Sequence, residues 1–330
     1  MKIAVLERNS VGTDVDVSCF EELGEVKYYP ITRYDEITAQ VGDADVIILN
    51  KAKINEDTIG SCKNVKLVCE FATGFDNVDI EYCRSRGIKV CNVTNYSTNA
   101  VAQHTFAMAL YLVEHMRDYD EYVKSGEYTA SGAFSYFDKP FAELDGKTWG
   151  IIGLGNIGKK TARIAESFGC KVIYYSVTGK NSCEDYERVD FDTLLRESDF
   201  ISVHCPLSDL TKDLIDLDAM KKMKNSAVLL NVARGPVVNN SHLYRALMDG
   251  EIAAAGLDVL EIEPLKEENP LSKIKDSNRL VITPHMAWAS TEARIRLIAE
   301  VAENIKSFIK GENRNCLLYT SPSPRDKRQS

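Results

Sequence analysis

At 330 residues the chain is long enough for two domains. Hydrophobic residues at 44% and charged residues at 27% make an ordinary globular composition, and a net charge of −9 excludes a general affinity for nucleic acid, whose phosphates need a basic face. An anionic ligand must be held by local positive features rather than by the overall field. The nine cysteines are scattered without a C-x-x-C pair, as for free thiols in a reducing compartment. The chain opens on a strand-like run with no signal peptide, and no apolar run nears the roughly 20 residues of a membrane span. A cytoplasmic protein with no membrane partner and no metal is expected.

Strand-like runs at 3–6, 26–29, 45–49, 65–69 and 89–93 alternate with helical or polar stretches, the pattern of βα units around a parallel sheet. The loops at Asn50-Lys51 and at 72–77 follow predicted strand ends, where open α/β sheets place ligands. Ser97, Thr98 or Asn99 caps a helix predicted to reach Lys124, with Val101, Phe106, Ala109, Leu110 and Val113 on its buried face. His104 within it reads as a packed core or interface histidine ahead of a catalytic one. Residues 125–145 are irregular and aromatic.

Six more strands are predicted, at 149–152, 172–175, 200–204, 227–232, 253–258 and 280–283, the count of two mononucleotide-binding halves. Ser290 caps a last helix that stops at Gly311, with Ile298, Val301, Ile305 and Ile309 in one apolar stripe. Periodicity ends at Cys316, and 317–330 is expected to be a disordered, non-native tail outside the fold.

The run Trp149-Gly150-Ile151-Ile152-Gly153-Leu154-Gly155-Asn156-Ile157-Gly158 is the stretch that organises the rest. It places G-x-G-x-x-G between a strand and a helix, with a second strand after the helix, which is the context a dinucleotide fingerprint requires. The first glycine permits the tight turn, the second admits a pyrophosphate, and the third brings helix close to strand. NAD sites usually carry Asp or Glu about 20 residues past the glycines, on the ribose 2′-hydroxyl. Here Ser176, Thr178 and Lys180 follow the second strand. No acid repels a 2′-phosphate there and no arginine clamp follows in sequence, so NAD or NADP is expected.

Three segments sit at or past the later strand ends: Asn231-Val232-Ala233-Arg234-Gly235, the run from Asp258 to Pro264, and Thr283-Pro284-His285. They supply a guanidinium, carboxylates and an imidazole. Alone, each has a plain alternative: Arg234 in a surface ion pair, Glu263 as a solvated turn residue, Asp258 as a strand-end cap, His285 as a loop histidine. Their order along one chain raises the chemical reading.

With the glycine motif and His204-Cys205-Pro206-Leu207, these segments closely resemble the D-isomer-specific 2-hydroxyacid dehydrogenases up to about residue 315. The segment from Tyr96 to Thr105 is most similar to the glycerate dehydrogenase (hydroxypyruvate reductase) branch. The resemblance implies two parallel-sheet α/β domains, flavodoxin-like and Rossmann, with the active site in the cleft between them. The substrate-binding domain would be 1–98 plus 286–316, and the NAD(P)-binding domain 99–285.

It also implies roles. His285 would exchange the proton with substrate, an imidazole being suited by its ordinary pKa of about 6.5. Glu263 would hydrogen-bond and orient His285, and Arg234 would hold the substrate carboxylate and polarise its carbonyl with its planar fork of donors. Asn50, Lys51, Thr73, Gly74 and Phe75 would complete the substrate site. Asp258 would accept from the nicotinamide carboxamide. Cofactor contacts are expected from Gly153, Leu154, Gly155, Asn156, Ile157, Gly158, Ser176, His204, Cys205, Pro206, Thr211, Val232, Ala233 and His285. A Cys205 nucleophile has no step to perform. The substrate expected is a small 2-keto or 2-hydroxy acid, hydroxypyruvate or glyoxylate first, and the assembly a homodimer. Alternatives are a D-lactate type acting on pyruvate and a dinucleotide-sensing corepressor-like protein.

Overall fold

A computed structural model describes residues 1–180 and 182–317, which lie in two units. One is formed by Met1–Ser97 with the chain from Ala289 onward, the other by Thr98–Trp288.

The first unit is a five-stranded parallel sheet. Its strands are β1 (Lys2–Val5), β2 (Glu25–Tyr28), β3 (Val46–Leu49), β4 (Leu67–Glu70) and β5 (Lys89–Cys91), in the order β2-β1-β3-β4-β5. This is the flavodoxin-like order. Helices cover the faces, so β3 and β4 are buried at every position and read as continuous apolar runs. Ile47, Leu49, Val68 and Val90 pack with Ile54 and Ile59 on one face.

The helix Thr291–Ile309 belongs to this unit. Ser290 caps it as expected, accepting from Ala293 N at 3.2 Å. Ile298, Val301 and Ile305 are buried, but Ile309 is exposed in the last turn. Asn304 replaces it at the inner face, donating to Asn92 O at 3.2 Å. Cys316 and Leu317, set apart by their lack of periodicity, are held on β5: Cys316 is buried and Leu317 N donates to Val90 O at 2.8 Å. Backbone pairing to a sheet edge needs no sequence pattern. The rest of the expected tail, 318–330, lies outside the described residues.

The second unit is a doubly wound parallel sheet: β6 (Thr148–Ile152), β7 (Lys171–Tyr175), β8 (Glu187–Arg188), β9 (Phe200–Val203), β10 (Val228–Asn231), β11 (Ala254–Leu257) and β12 (Leu280–Ile282). Their order is β12-β11-β10-β9-β6-β7-β8, the Rossmann order with one strand added. The six predicted strands are all present. β12 is the strand added beyond that order; β8, its third strand, is the one not predicted, two polar residues paired in parallel to Ile173 and Tyr174.

Trp149 on β6 is fully buried, stacked on Phe106 at 4.5 Å and Phe200 at 4.9 Å. Truncating a side chain of this size in a core costs on the order of 3–5 kcal/mol. The helix predicted to reach Lys124 runs Thr98–Glu114 and resumes as Met116–Lys124. His115 breaks it in a left-handed conformation (φ 50°), where its Nδ1 meets Asn278 Oδ1 at 3.0 Å. A tertiary hydrogen bond overrides local propensity there. A short helix, Glu127–Ser131, lies within the irregular segment. Among the described residues no helix is long and apolar enough to cross a membrane.

Candidate active site

The site is built on the C-terminal ends of β6, β9, β10, β11 and β12. The three glycines after β6 play three roles. Gly153 has φ 94°, and a Cβ there would lie 2.7 Å from Cys205 N. A Cβ on Gly158 would lie 2.4 Å from Gly153 O, so helix and strand approach as closely as they do only without a side chain. A Cβ on Gly155 would meet nothing within 4 Å. No protein atom requires glycine at 155, whereas a pyrophosphate over the start of the helix Asn156–Ser167 would. Leu154 is buried in the core, so only its backbone faces the loop; Asn156 is exposed and Ile157 partly so.

His204 follows β9, its N–H donating to Ile152 O at 2.8 Å. Trp149 Nε1 donates to Ser202 Oγ at 2.9 Å, and that hydroxyl lies 3.0 Å from His204 Nε2. An indole can only donate. Ser202 keeps its own proton and a second lone pair, so it can pair with Nε2 in either tautomer of the ring. Nδ1 is buried with no partner among the described residues. Desolvation pushes the imidazole down to about 3, so it is neutral. An orphaned buried ring nitrogen beside the glycine loop fits a polar group of a dinucleotide. Burial pushes the Cys205 thiol up to about 12, the reverse of a nucleophile's shift. Pro206 is exposed; Thr211 is buried and donates to Pro206 O at 2.8 Å, shaping the turn.

Arg234 is thrown out of β10 by a turn that fully buried Asn231 holds. Asn231 accepts from Ala233 N at 3.1 Å and donates to Arg234 O at 3.0 Å. Val232 is buried and Ala233 half-buried. Gly235 packs on the loop after β11, where a Cβ would lie 1.9 Å from Leu260 O.

Glu263 is fixed at both oxygens: Oε1 accepts from Leu260 N at 3.0 Å, and Oε2 lies 2.8 Å from His285 Nδ1. His285 has φ 56°, uncommon for a residue with a Cβ, and its N–H is held by Asp258 O and Thr283 O, both at 2.9 Å. The carboxylate of Asp258 is buried and accepts from Thr283 Oγ1 at 2.6 Å, Met286 N at 2.7 Å and Ala287 N at 2.9 Å. Its hydrogen bonds secure the loop that carries His285. His104 joins this network, its Nε2 lying 2.9 Å from Thr283 Oγ1.

After β7, Ser176 is buried and Ser176 O accepts from Gly179 N at 3.0 Å. The short strand β8 brings Arg188 to the same turn, its Nη1 3.0 Å from Gly179 O. No sequence signal pointed to Arg188, twelve residues beyond Ser176 on a strand too short to read.

In the first unit, Asn50 and Lys51 follow β3; their N–H groups and that of Ala52 donate to Glu7 Oε2 at 3.3, 2.8 and 2.8 Å. Thr73 is exposed and anchored by Oγ1 to Val93 O at 2.7 Å, with Gly74 and Phe75 half-buried beside it. Among the described residues, no group of three or more His, Cys, Asp or Glu is placed to hold a metal ion.

A glycine-cradled dinucleotide loop beside an imidazole–carboxylate pair and a guanidinium defines an NAD(P)-dependent oxidoreductase. Residues 106–287 match the model of the D-isomer specific 2-hydroxyacid dehydrogenase NAD-binding domain. A hydroxypyruvate reductase of Blautia hydrogenotrophica is 37% identical over 318 residues, 94% of this chain and 98% of that protein. A glycerate dehydrogenase of Methylorubrum extorquens is 37% identical over 315 residues, 95% and 98% of the two chains. The structure of D-lactate dehydrogenase from Aquifex aeolicus, complexed with NAD and lactic acid, superposes with a TM-score of 0.82 at 27% identity over 97% of this chain and 100% of that one. The chain belongs to the D-isomer specific 2-hydroxyacid dehydrogenase family.

Proposed function

We propose that the protein reduces hydroxypyruvate or glyoxylate to the D-2-hydroxy acid or glycolate, reversibly, and that His285 exchanges the proton. The observation that carries this reading is the 2.8 Å bond between His285 Nδ1 and Glu263 Oε2, which leaves Nε2 as the nitrogen for the substrate oxygen. A bound reduced nicotinamide supplies the hydride. Glu263 fixes the ring, and Asp258 fixes the loop beneath it. Arg234 takes the substrate carboxylate and polarises the carbonyl. Asn50, Lys51 and the 73–75 loop take the remaining substrate oxygens. The first turn of the helix Asn156–Ser167 and His204 Nδ1 serve the dinucleotide.

Ser176, Lys180 and Arg188 would accommodate a 2′-phosphate, so NADPH is used as well as NADH. Loss of reduced-nicotinamide absorbance with hydroxypyruvate, glyoxylate and pyruvate, measured with each dinucleotide, tests both points. Turnover is expected to be fastest with one of the first two acids, and Arg188→Ala is expected to lower kcat/KM for NADPH about tenfold while sparing NADH. No turnover with any acid would overturn the function. An equal effect of Arg188→Ala on both dinucleotides would overturn the 2′-phosphate assignment.

A homodimer is proposed from the large apolar side chains left exposed on the second unit, Met116, Val123, Phe134, Phe137 and Phe141. Sedimentation equilibrium is expected at twice the 36.9 kDa chain mass; a monomer at micromolar concentration would contradict it.

A further inference from the structure

The loops proposed to take the remaining substrate oxygens hang on a buried acid that proton transfer does not use. Glu70 ends β4, is 0% exposed, and lies on the same sheet face as Val68 of the apolar core. Its Oε1 accepts from Asn77 Nδ2 at 3.1 Å, and its Oε2 is buried with no hydrogen-bond partner among the described residues. The same Asn77 amide donates to Ala52 O at 2.9 Å, and Asn77 O accepts from Ile54 N at 2.9 Å. Asn77 thus clasps the chain after β3 to the loop after β4, with Glu70 at the base of the clasp. From the other side, Glu7 gathers the N–H groups of residues 50–52.

We propose that Glu70 is a positioning residue for substrate binding, acting through Asn77 to hold the 50–52 and 73–75 loops at a fixed spacing. This rests on the reading that those loops take the substrate. A lone carboxylate buried at this place would be poorly compensated. Desolvation holds Glu70 well above the usual carboxylate range; Glu7 and Asp76 add to the shift, while the Asn77 hydrogen bond and Lys51 oppose it. A glutamine amide keeps an oxygen to accept from Asn77 and carries no charge. Because the folded pKa is raised, the neutral group's contribution to stability is full below the unfolded value of about 4.3 and is lost as pH rises through the folded value.

Three measurements on wild type, Glu70→Gln and Glu70→Ala test this. Glu70→Ala is expected to raise KM for hydroxypyruvate about tenfold, with kcat and dinucleotide Kd within about twofold, and to speed amide exchange at 50–52 and 72–77. Glu70→Gln is expected to keep wild-type KM and exchange, and to melt higher than wild type at pH 8 but not at pH 4. If Glu70→Ala does not fold, Asn77→Ala carries the same expected KM rise and faster exchange. The proposal is overturned if Glu70→Gln behaves as Glu70→Ala, if removing the clasp leaves KM and exchange unchanged, or if Glu70→Gln gives no gain in Tm at pH 8. Wild-type protein that turns over no 2-keto acid would defeat the functional reading instead, and exchange with Tm still decides the role of Glu70.

Discussion

Replacing His285 with Gln is expected to lower kcat for keto-acid reduction about 100- to 10,000-fold, the range over which a positioned general acid contributes. Dinucleotide Kd and Tm should stay near wild type, because the loop is held by backbone and Asp258 rather than by the imidazole. The ring is the most constrained part of the site. Its backbone is left-handed, its N–H has two acceptors, and Glu263, which holds Nδ1, is itself tied to Leu260 N. A glutamine keeps polarity and most of the volume but has no titratable proton to give. Stopped-flow absorbance of the bound reduced dinucleotide, mixed with hydroxypyruvate, separates this step from binding. An unchanged rate would remove His285 from the reaction.

The second large effect falls on Arg234. Arg234→Lys keeps the charge but loses the planar fork, so a substrate carboxylate is held at one point instead of two. The expected loss in kcat/KM is about 100- to 1,000-fold, equivalent to about 3–4 kcal/mol of transition-state stabilisation, and it should appear in both KM and kcat. The neighbouring turn makes a structural explanation separable. Asn231 and Gly235 set the path of the chain, and the guanidinium adds one bond to that turn, Nη1 donating to Ala233 O at 2.8 Å. Arg234→Lys should therefore lower stability by no more than about one hydrogen bond, about 1 kcal/mol, far less than the loss in kcat/KM. A variant with wild-type kcat/KM would show that the substrate carboxylate is held elsewhere.

Much of this was legible in the sequence because it lies in patterns of fixed period or spacing. Of the twelve strands among the described residues, eleven are predicted from the sequence, most of them continuous apolar runs as central parallel strands are. G-x-G-x-x-G marks the turn from β6 into the helix Asn156–Ser167, and Arg234, Glu263 and His285 lie in the segments past β10, β11 and β12 that the sequence singles out, their roles implied by the family resemblance. What escaped depends on three-dimensional context. β8 has two polar residues and no period, so Arg188 could not be tied to the Ser176 turn. The break at His115 answers to Asn278, 163 positions away. Asp258 looked like a ligand contact, and only the positions of Thr283, Met286 and Ala287 show that its carboxylate fastens the histidine loop. Glu70 is one acid in a buried strand, and its clasp on Asn77 needs the fold to be seen.

Chiral analysis of the product tests the central claim most directly. Wild-type protein given hydroxypyruvate and reduced dinucleotide should form D-glycerate in one-to-one proportion to the nicotinamide oxidised. Formation of the L-isomer, or nicotinamide loss without glycerate, would contradict the placement of imidazole and guanidinium around a single keto carbon.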